Sequence, residues 1–316
     1  MNANDFISKV LDEERINEDD ALWALNNLDL PTLGFLANEV RRRKAANGNE
    51  VVSYVISRNV NYTNVCITDC DFCSFYRHPK DEEAYTLSED ELRAKAQELV
   101  DLGGTEVLLQ GGHNPRIPFE YYEKMLSIFR DEYGLHNHAF SPSEIQNFGI
   151  FWKMSVPEVL KRLRDAGLHS IPGGGAEILV DRVRDIICPK KGGADDWLMP
   201  MREAHRLGIR SSATMMFGHV ETRAERIEHL RRVRELQDEF AGFTAFICWT
   251  FQSEGNAMSN IAMVGAHEYL RTQAIARIYL DNIDNVQASW VTQGGKIGQI
   301  SLSYGCNDMG SLMIEE

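Results

Sequence analysis

The sequence predicts an α/β fold: a parallel (β/α)8 TIM-type barrel, closed or incompletely closed, that carries an N-terminal helical cap. Three observations predict it. From residue 51 to 316, runs of strand character alternate with segments of helical period, the pattern of a parallel sheet wrapped by helices. That stretch has the length of one such barrel, for which roughly 250 residues are typical. Residues 1–50 show helical period alone. The expected division is therefore a cap at 1–50 and a barrel domain at 51–316.

In order, residues 6–11, 20–28 and 33–43 read as short amphipathic helices, interrupted near Pro31 and followed by the turn dipeptide Asn47-Gly48. Strand candidates then recur at 53–58, 106–110, 136–140, 170–172, 212–217, 244–249, 286–290 and 300–303. Between most of them lie helices, expected at 88–102, 119–132, 156–166, 196–207, 222–239 and 266–280. Ser88 and Glu91 have the spacing of a capping box, in which each side chain satisfies a backbone amide of the other's turn. The last connection, 292–299, is Gly-rich and short for a full helix.

Charge excludes some partners. The chain carries 33 basic and 47 acidic side chains, a net charge of -14, so a phosphate backbone meets repulsion and nucleic acid is not expected as a partner. The dense positive run Arg41 to Lys44 ends a helix, where cations suit the negative terminus. No apolar run reaches the length of a membrane span, and the acidic, amphipathic start lacks the features of a signal peptide. A cytoplasmic location is expected, with no membrane insertion. In that reducing compartment Cys188, Cys248 and Cys306 are expected as free thiols.

Cys66, Cys70 and Cys73 form a C-x3-C-x2-C run inside Asn61-Tyr-Thr-Asn-Val-Cys-Ile-Thr-Asp-Cys-Asp-Phe-Cys-Ser-Phe-Tyr-Arg77. Closed structural zinc sites and ordinary cubane clusters take four protein ligands. Three thiolates in one short loop point instead to a 4Fe-4S cluster with one iron open to a small molecule. Phe72, directly before the third cysteine, is placed to shield the cluster and stack on an adenine. The competing reading is a structural zinc completed by His78.

The loop, with its aromatic before the last cysteine, resembles the radical S-adenosylmethionine superfamily. Further segments narrow the resemblance: Gln110-Gly-Gly-His-Asn-Pro115, Ser170-Ile-Pro-Gly-Gly-Gly-Ala-Glu-Ile-Leu179, Ala213-Thr-Met-Met-Phe-Gly-His-Val-Glu-Thr222 and Gly242-Phe-Thr-Ala-Phe-Ile247. With the cysteine loop, and in this order, they are similar to the dehypoxanthine futalosine cyclase family of the futalosine route to menaquinone, from about Val51 to the C-terminus. The resemblance implies S-adenosylmethionine as cosubstrate, dehypoxanthine futalosine as substrate and a low-potential electron donor as partner. It also implies radical hydrogen abstraction at C4′, followed by carbon-carbon bond formation to the benzoate ring. Sister enzymes, aminofutalosine synthase and the tyrosine-using deazaflavin-precursor synthase, share the Asn-Tyr-Thr-Asn start. The family continues past a Gly-x-Asn-Asp-x-Gly segment, here Gly305 to Gly310, so the closing helix is expected to be absent or supplied otherwise.

A barrel builds its active site from the loops after its strands, which gives each segment a task. By resemblance Gln110, Gly111 and Gly112 hold the amino group of S-adenosylmethionine, glycine permitting close backbone approach. Ser141 and Glu144 are candidates for ribose hydroxyls, or else simply begin a helix. Three glycines at a strand end invite close ligand approach, which makes Gly174 and Gly175 substrate candidates. Glu177 and Arg182 become candidates for polar contacts, Glu177 alternatively being an acid favoured at a helix N-terminus. His219 and Glu177 are the catalytic candidates, although a lone histidine is as readily a hydrogen-bonded structural residue. Trp249 and Phe251 suit the wall of a cavity for an aromatic substrate. His136 and His138 alternate on one strand; two imidazoles alone read as packing or hydrogen bonding rather than metal binding.

Overall fold

The computed structural model describes residues 1–44 and 51–315. The expected boundary after residue 50 and the Asn47-Gly48 turn lie outside the described residues.

Among the described residues nine parallel strands form the sheet: β1 (Ser53–Val55), β2 (Ser57–Asn61), β3 (Glu106–Gln110), β4 (His136–Ala139), β5 (Ser170–Ile171), β6 (Arg210–Phe217), β7 (Phe243–Thr250), β8 (Asn285–Gln287) and β9 (Asp308–Ser311). The hydrogen-bonded order is β1-β9-β8-β7-β6-β5-β4-β3-β2. The predicted first strand is broken at Ile56. Its first half pairs with β9 and its second half with β3, so one continuous piece of chain joins both edges of the sheet. Beyond β9, Ile314 completes the seam: Asn59 N donates to Ile314 O and Ile314 N to Ser57 O, each at 3.2 Å. The barrel is thereby nearly closed, which removes the exposed edges an open sheet would leave.

Alternation along the strands sorts the side chains. On β3, Val107 and Leu109 are fully buried against the outer helices, while Glu106, Leu108 and Gln110 line the bore. The period of two predicted from sequence is thus a division between core and bore.

The ring of helices comprises α4 (Glu89–Asp101), α5 (Phe119–Ser127, continued by a π turn to Glu132), α6 (Pro142–Trp152), α7 (Val156–Ala166), α8 (Asp181–Ile187), α9 (Ala194–Arg206), α10 (Arg223–Phe240) and α11 (Ala266–Tyr279), with two short helices, α12 (Trp290–Gln293) and α13 (Gly295–Ser301), before β9. Several start on reciprocal caps, Ser88 with Glu91, Ser141 with Glu144 and Thr222 with Glu225, which satisfy amides that helix starts leave unpaired. The N-terminal helices, here αA (Ala3–Leu11), αB (Glu18–Asn27) and αC (Leu30–Lys44), pack on α10 and α11 and share one hydrophobic core with the barrel. Pro31 sits in the first turn of αC, where a missing N–H costs nothing. Arg271 donates to Leu28 O at 2.6 Å and Arg234 to Ile16 O at 2.7 Å, so barrel guanidiniums bind the carbonyls around αB.

The strand expected at 300–303 is not formed. Ile300 and Ser301 end α13, and Leu302–Tyr304 is a 3-10 turn; a four-residue run is too short for its period to separate strand from helix. The closing strand is Asp308–Ser311 instead, held by β1 and β8. Two helices, α6 and α8, occupy segments for which no full helix was expected.

Candidate active site

The C-terminal ends of the strands converge on the cysteine loop. The loop follows β2 and is pinned on both sides: Cys66 N donates to Arg77 O and Ile67 N to His113 O, both at 3.2 Å, while Arg77 N donates to Asn64 O at 2.8 Å. Cys66, Cys70 and Cys73 are free thiols lining one cavity of about 200 Å³. Cys66 and Cys70 are buried, Cys73 partly so. The backbone N–H of His113 points at Cys66 Sγ at 3.3 Å, the kind of contact that tunes an iron-sulfur group. Cys188, fully buried after α8, and Lys191 draw the Cys70 thiol below its ordinary value against its burial. Burial pushes the Cys73 thiol up.

Among the described residues no three His, Cys, Asp or Glu side chains gather closely enough to hold one metal ion. The three thiols stand around a cavity rather than at a point, an arrangement suited to a cubane that takes one thiolate on each of three corners and less to a tetrahedral zinc. His78 does not complete the set: it lines a second cavity of about 290 Å³, which shares Cys70 and Cys73 but not Cys66, and it sets its ring edgewise on Tyr76.

The cavity wall is built from the next three loops. After β3, a Cβ on Gly111 would strike the Tyr62 ring and one on Gly112 the carbonyl of Val65, so these glycines let the cysteine loop and the β3 loop lie in contact. Gln110 faces both this cavity and the bore, and its side-chain amide has no hydrogen-bond partner among the described residues. Ser141 and Glu144 also line the cavity, but the Glu144 carboxylate is already occupied. It accepts from Ser141 N at 2.7 Å and Ser141 Oγ at 2.6 Å, from Gly111 N at 3.2 Å and from the Tyr62 hydroxyl. In this geometry the pair is a helix start and a strut between loops.

The glycine loop after β5 closes the far side. Because Pro172 cannot continue the ladder, hydroxyls of β6 replace it: Gly173 N donates to Ser212 Oγ at 3.0 Å and Thr214 Oγ1 to Gly173 O at 2.6 Å. Gly174 faces the bore, and Gly175 the cysteine cavity. Their carbonyls accept from Trp197 Nε1 and Arg184 Nη1, each at 3.1 Å. Arg184 also donates to Gly192 O at 2.8 Å and so ties the glycine loop to the segment carrying Lys191.

Lys191 enters the cavity beside Phe72, its Nζ 5.2 Å from the ring centroid, and pairs with Glu177 Oε1 at 2.7 Å. Burial pushes the Glu177 carboxyl up, but Lys191 and Arg184 outweigh it and hold it below its ordinary value. Lys191 remains charged against its burial because Glu177 and the Cys70 thiol oppose the loss of its proton. Asp69, Phe140 and Glu177 take φ values of 34°, 60° and 44°; all three lie in loops of this site, where strained backbone is commonly tolerated for function.

Below Gln110 the bore opens into a cavity of about 680 Å³ lined by Asn59, His138, Ser170, Ser212 and Trp249 among others, a volume in the range of small-molecule sites. Three predicted residues lie elsewhere. Arg182 is surface-exposed, pairing with Glu225 at 2.6 Å and lining neither cavity. His219 is enclosed: Val220 N donates to its Nδ1 at 2.8 Å and its Nε2 donates to Met216 O at 3.1 Å, which fixes a neutral structural imidazole. Phe251 is buried with its ring edgewise on His219, 6.0 Å between centroids. Sequence reasoning did not single out Lys191 or His113. The Lys190-Lys191-Gly-Gly run carries no local sign of burial; His113 was visible only as part of its motif.

A parallel barrel whose mouth carries three cluster-spaced thiols beside a cationic, aromatic-lined cleft belongs to the class of iron-sulfur barrel enzymes. The comparisons agree. Residues 60–233 match the radical SAM superfamily and residues 240–316 the CofH/MqnC C-terminal region. The chain is 44% identical to the cyclic dehypoxanthine futalosine synthase of Streptomyces coelicolor, covering 96% of this chain and 76% of that one. It is 41% identical to the synthase of the same name from Halalkalibacterium halodurans (100% and 85% covered) and 40% identical to the aminodeoxyfutalosine synthase of Thermus thermophilus (98% and 83%). Among solved structures, methylornithine synthase (PylB) matches 98% of this chain and 87% of its own with a TM-score of 0.75 at 18% identity, a likeness of fold. The chain belongs to the radical SAM superfamily, in the group that shares the CofH/MqnC C-terminal region. An iron-sulfur cluster and S-adenosylmethionine go with that membership.

No helix among the described residues is long and apolar enough to cross a membrane.

Proposed function

We propose that the protein is a cytoplasmic cyclase that converts dehypoxanthine futalosine to cyclic dehypoxanthine futalosine in menaquinone biosynthesis. The observation that carries this reading is the continuity of the site: three thiols surround one cavity, and Gln110 joins that cavity to a bore large enough for the substrate. The printed name of the relative at 44% identity supports the choice of substrate.

Cys66, Cys70 and Cys73 would hold a 4Fe-4S cluster. When bound, it would supply the electron for reductive cleavage of S-adenosylmethionine and so the radical chemistry that hydrogen removal at C4′ of the substrate requires. Lys191 would offer its ammonium to the methionyl carboxylate, Gln110 and the Gly111-Gly112 backbone would line the amino group, and Phe72 would cover the adenine. The walls of the bore hold the substrate so that its radical lies against the benzoate ring to which it adds. Helices αA to αC act as a cap that braces α10 and α11, separate in role from the barrel at 51–316. The electron donor is a low-potential carrier.

Anaerobic incubation of the reconstituted protein with S-adenosylmethionine, a strong reductant and dehypoxanthine futalosine tests this. 5′-Deoxyadenosine should appear with a product two hydrogens lighter than the substrate. Deoxyadenosine without that product would move the substrate to a sister reaction such as the one named for the Thermus relative.

A further inference from the structure

One rung of the barrel crosses five strands just beneath the cosubstrate cavity. Asn59, Leu108, His138, Ser170 and Arg210 are register partners in turn across β2 to β6, and all of them line the bore. Leu108 is two residues below Gln110, a descent of about 7 Å along an extended strand. A substrate that places its sugar under Gln110 therefore places an attached aromatic ring near this rung. Asn59 and Ser170 are neutral, and the Arg210 guanidinium has donors only. His138 is the one member of the rung able to accept a proton.

Its hydrogen bonds run down the wall of the bore toward the lower mouth. His138 Nδ1 lies 2.7 Å from Ser170 Oγ, and the same hydroxyl lies 2.9 Å from His136 Nε2. Among the described residues His138 Nε2 has no hydrogen-bond partner, and the ring lines the cavity. His136 stands at the lower mouth with its side chain 45% exposed, stacked on His169 at 4.8 Å and 3.9 Å from Glu106 Oε2. The polarity is consistent along the whole chain. If Nδ1–H of His138 donates to Ser170, the hydroxyl donates to His136 Nε2, and His138 Nε2 is left with a lone pair facing the bore. Burial, with His136 adding to it, lowers the His138 imidazole to about 3, so it stands neutral with the Nε2 lone pair unprotonated.

We propose that His138, Ser170 and His136 form a proton relay in which His138 Nε2 takes the proton released when the cyclised ring regains aromaticity and His136 delivers a proton to the lower mouth. This rests on the cyclase reading above. After the C4′ radical adds, the attacked ring carbon carries both the new carbon-carbon bond and its hydrogen. The C–H bond breaks, its electron pair enters the ring, and one electron leaves to an oxidised iron-sulfur carrier. His138 gains the proton at Nε2 and passes its Nδ1 proton to Ser170, whose hydroxyl proton moves to His136. One proton and one electron leave the substrate, and aromaticity is restored.

The test uses reconstituted, cluster-containing wild type, His138→Gln, Ser170→Ala and His136→Gln, with C4′-deuterated dehypoxanthine futalosine. Wild type should give one cyclised product per deuterated deoxyadenosine. Removing a general base should lower the cyclised product by roughly 100-fold in His138→Gln, with deoxyadenosine formation within about twofold of wild type. Ser170→Ala and His136→Gln should uncouple in the same direction and less severely. An accumulating substrate radical, seen by electron paramagnetic resonance, should accompany the uncoupling. One-to-one coupling in His138→Gln overturns the relay. So does loss of deoxyadenosine with the cluster intact, because His138 would then act before hydrogen abstraction. Failure of the wild type itself to form cyclised product removes the cyclase reading instead.

Discussion

Lys191 and Glu177 form an ion pair inside the cosubstrate cavity, 2.7 Å from Nζ to Oε1, with side chains only 14% and 3% exposed. It joins the glycine loop after β5 to the segment after α8, and Lys191 is the one lysine or arginine among the described residues that line the cavity with Phe72 and the cysteines. Removing one partner of such a pair costs more than removing both, because the remaining charge is left buried.

Glu177→Gln is expected to destabilise the protein by about 3–5 kcal/mol, read as a fall in melting temperature. Glu177→Gln combined with Lys191→Met should recover part of that loss, since contacting residues do not contribute additively. Lys191→Met alone should keep its cluster iron and weaken S-adenosylmethionine binding by roughly 30-fold or more, the scale for truncating one member of a buried charge contact. Unchanged affinity in that variant would remove Lys191 from the cosubstrate site.

The cysteines divide into two sets by position. Cys66, Cys70 and Cys73 line the cavity, whereas Cys248 and Cys306 are bonded to Gln273 on the far side of β7 and β8, at 2.6 and 2.7 Å. Replacing any one of the first three by Ala should remove cluster iron and activity together. Cys248→Ala and Cys306→Ala should keep their iron, and Cys188→Ala likewise, because Cys188 does not line the cavity. Iron analysis of reconstituted variants decides it; a loss in one of the second group would reveal a missed ligand.

What was legible in the sequence was what is encoded locally. Three cysteines within eight residues declare themselves without any tertiary contact, and the Ser88–Glu91 box marked the start of α4 because both halves lie in one helical turn. The alternation of strand and helix fixed the barrel. Lys191 was hidden because its burial depends on Arg184 and the glycine loop, 7 to 18 residues upstream and organised by β6. The relay was hidden because His138 and Ser170 meet only through strand register. β9 was missed because Asp-Met-Gly-Ser has no β-branched residue, and its pairing with β1 and β8 overrides propensity. His219 misled for the opposite reason: its place after β6 suggested the mouth of the barrel, yet the turn from Phe217 folds its ring inward onto Met216 O.

Tyr62 gives a test of how the cosubstrate loops are braced. Its hydroxyl is fully buried and donates to Glu144, whose carboxylate also receives Gly111 N. Tyr62→Phe keeps the ring packing on Tyr122 and Phe140 and leaves a buried acceptor short of one donor. The expected cost is about 1–3 kcal/mol, with weaker S-adenosylmethionine binding as the β3 loop loosens. A variant with unaltered melting temperature and affinity would show the brace to be dispensable.

The lower mouth of the bore predicts a pH dependence of stability. Burial, with repulsion from Asp308 adding to it, raises the Glu106 carboxyl from its ordinary 4.5 to about 7. The folded state thus binds this proton more tightly than the unfolded chain does. Its contribution to stability is full below pH 4.5, declines as pH rises, and is lost once pH passes 7, where the cost of holding a buried carboxylate reaches on the order of 3 kcal/mol. Glu106→Gln removes that cost. Its gain over wild type should therefore be larger at pH 8.5 than at pH 5.5 by about 2 kcal/mol, measured as the difference in melting temperature between the two proteins at each pH. Equal gains at both values would mean that Glu106 ionises as freely in the folded protein as in the unfolded chain, and that the bore admits enough water to solvate it.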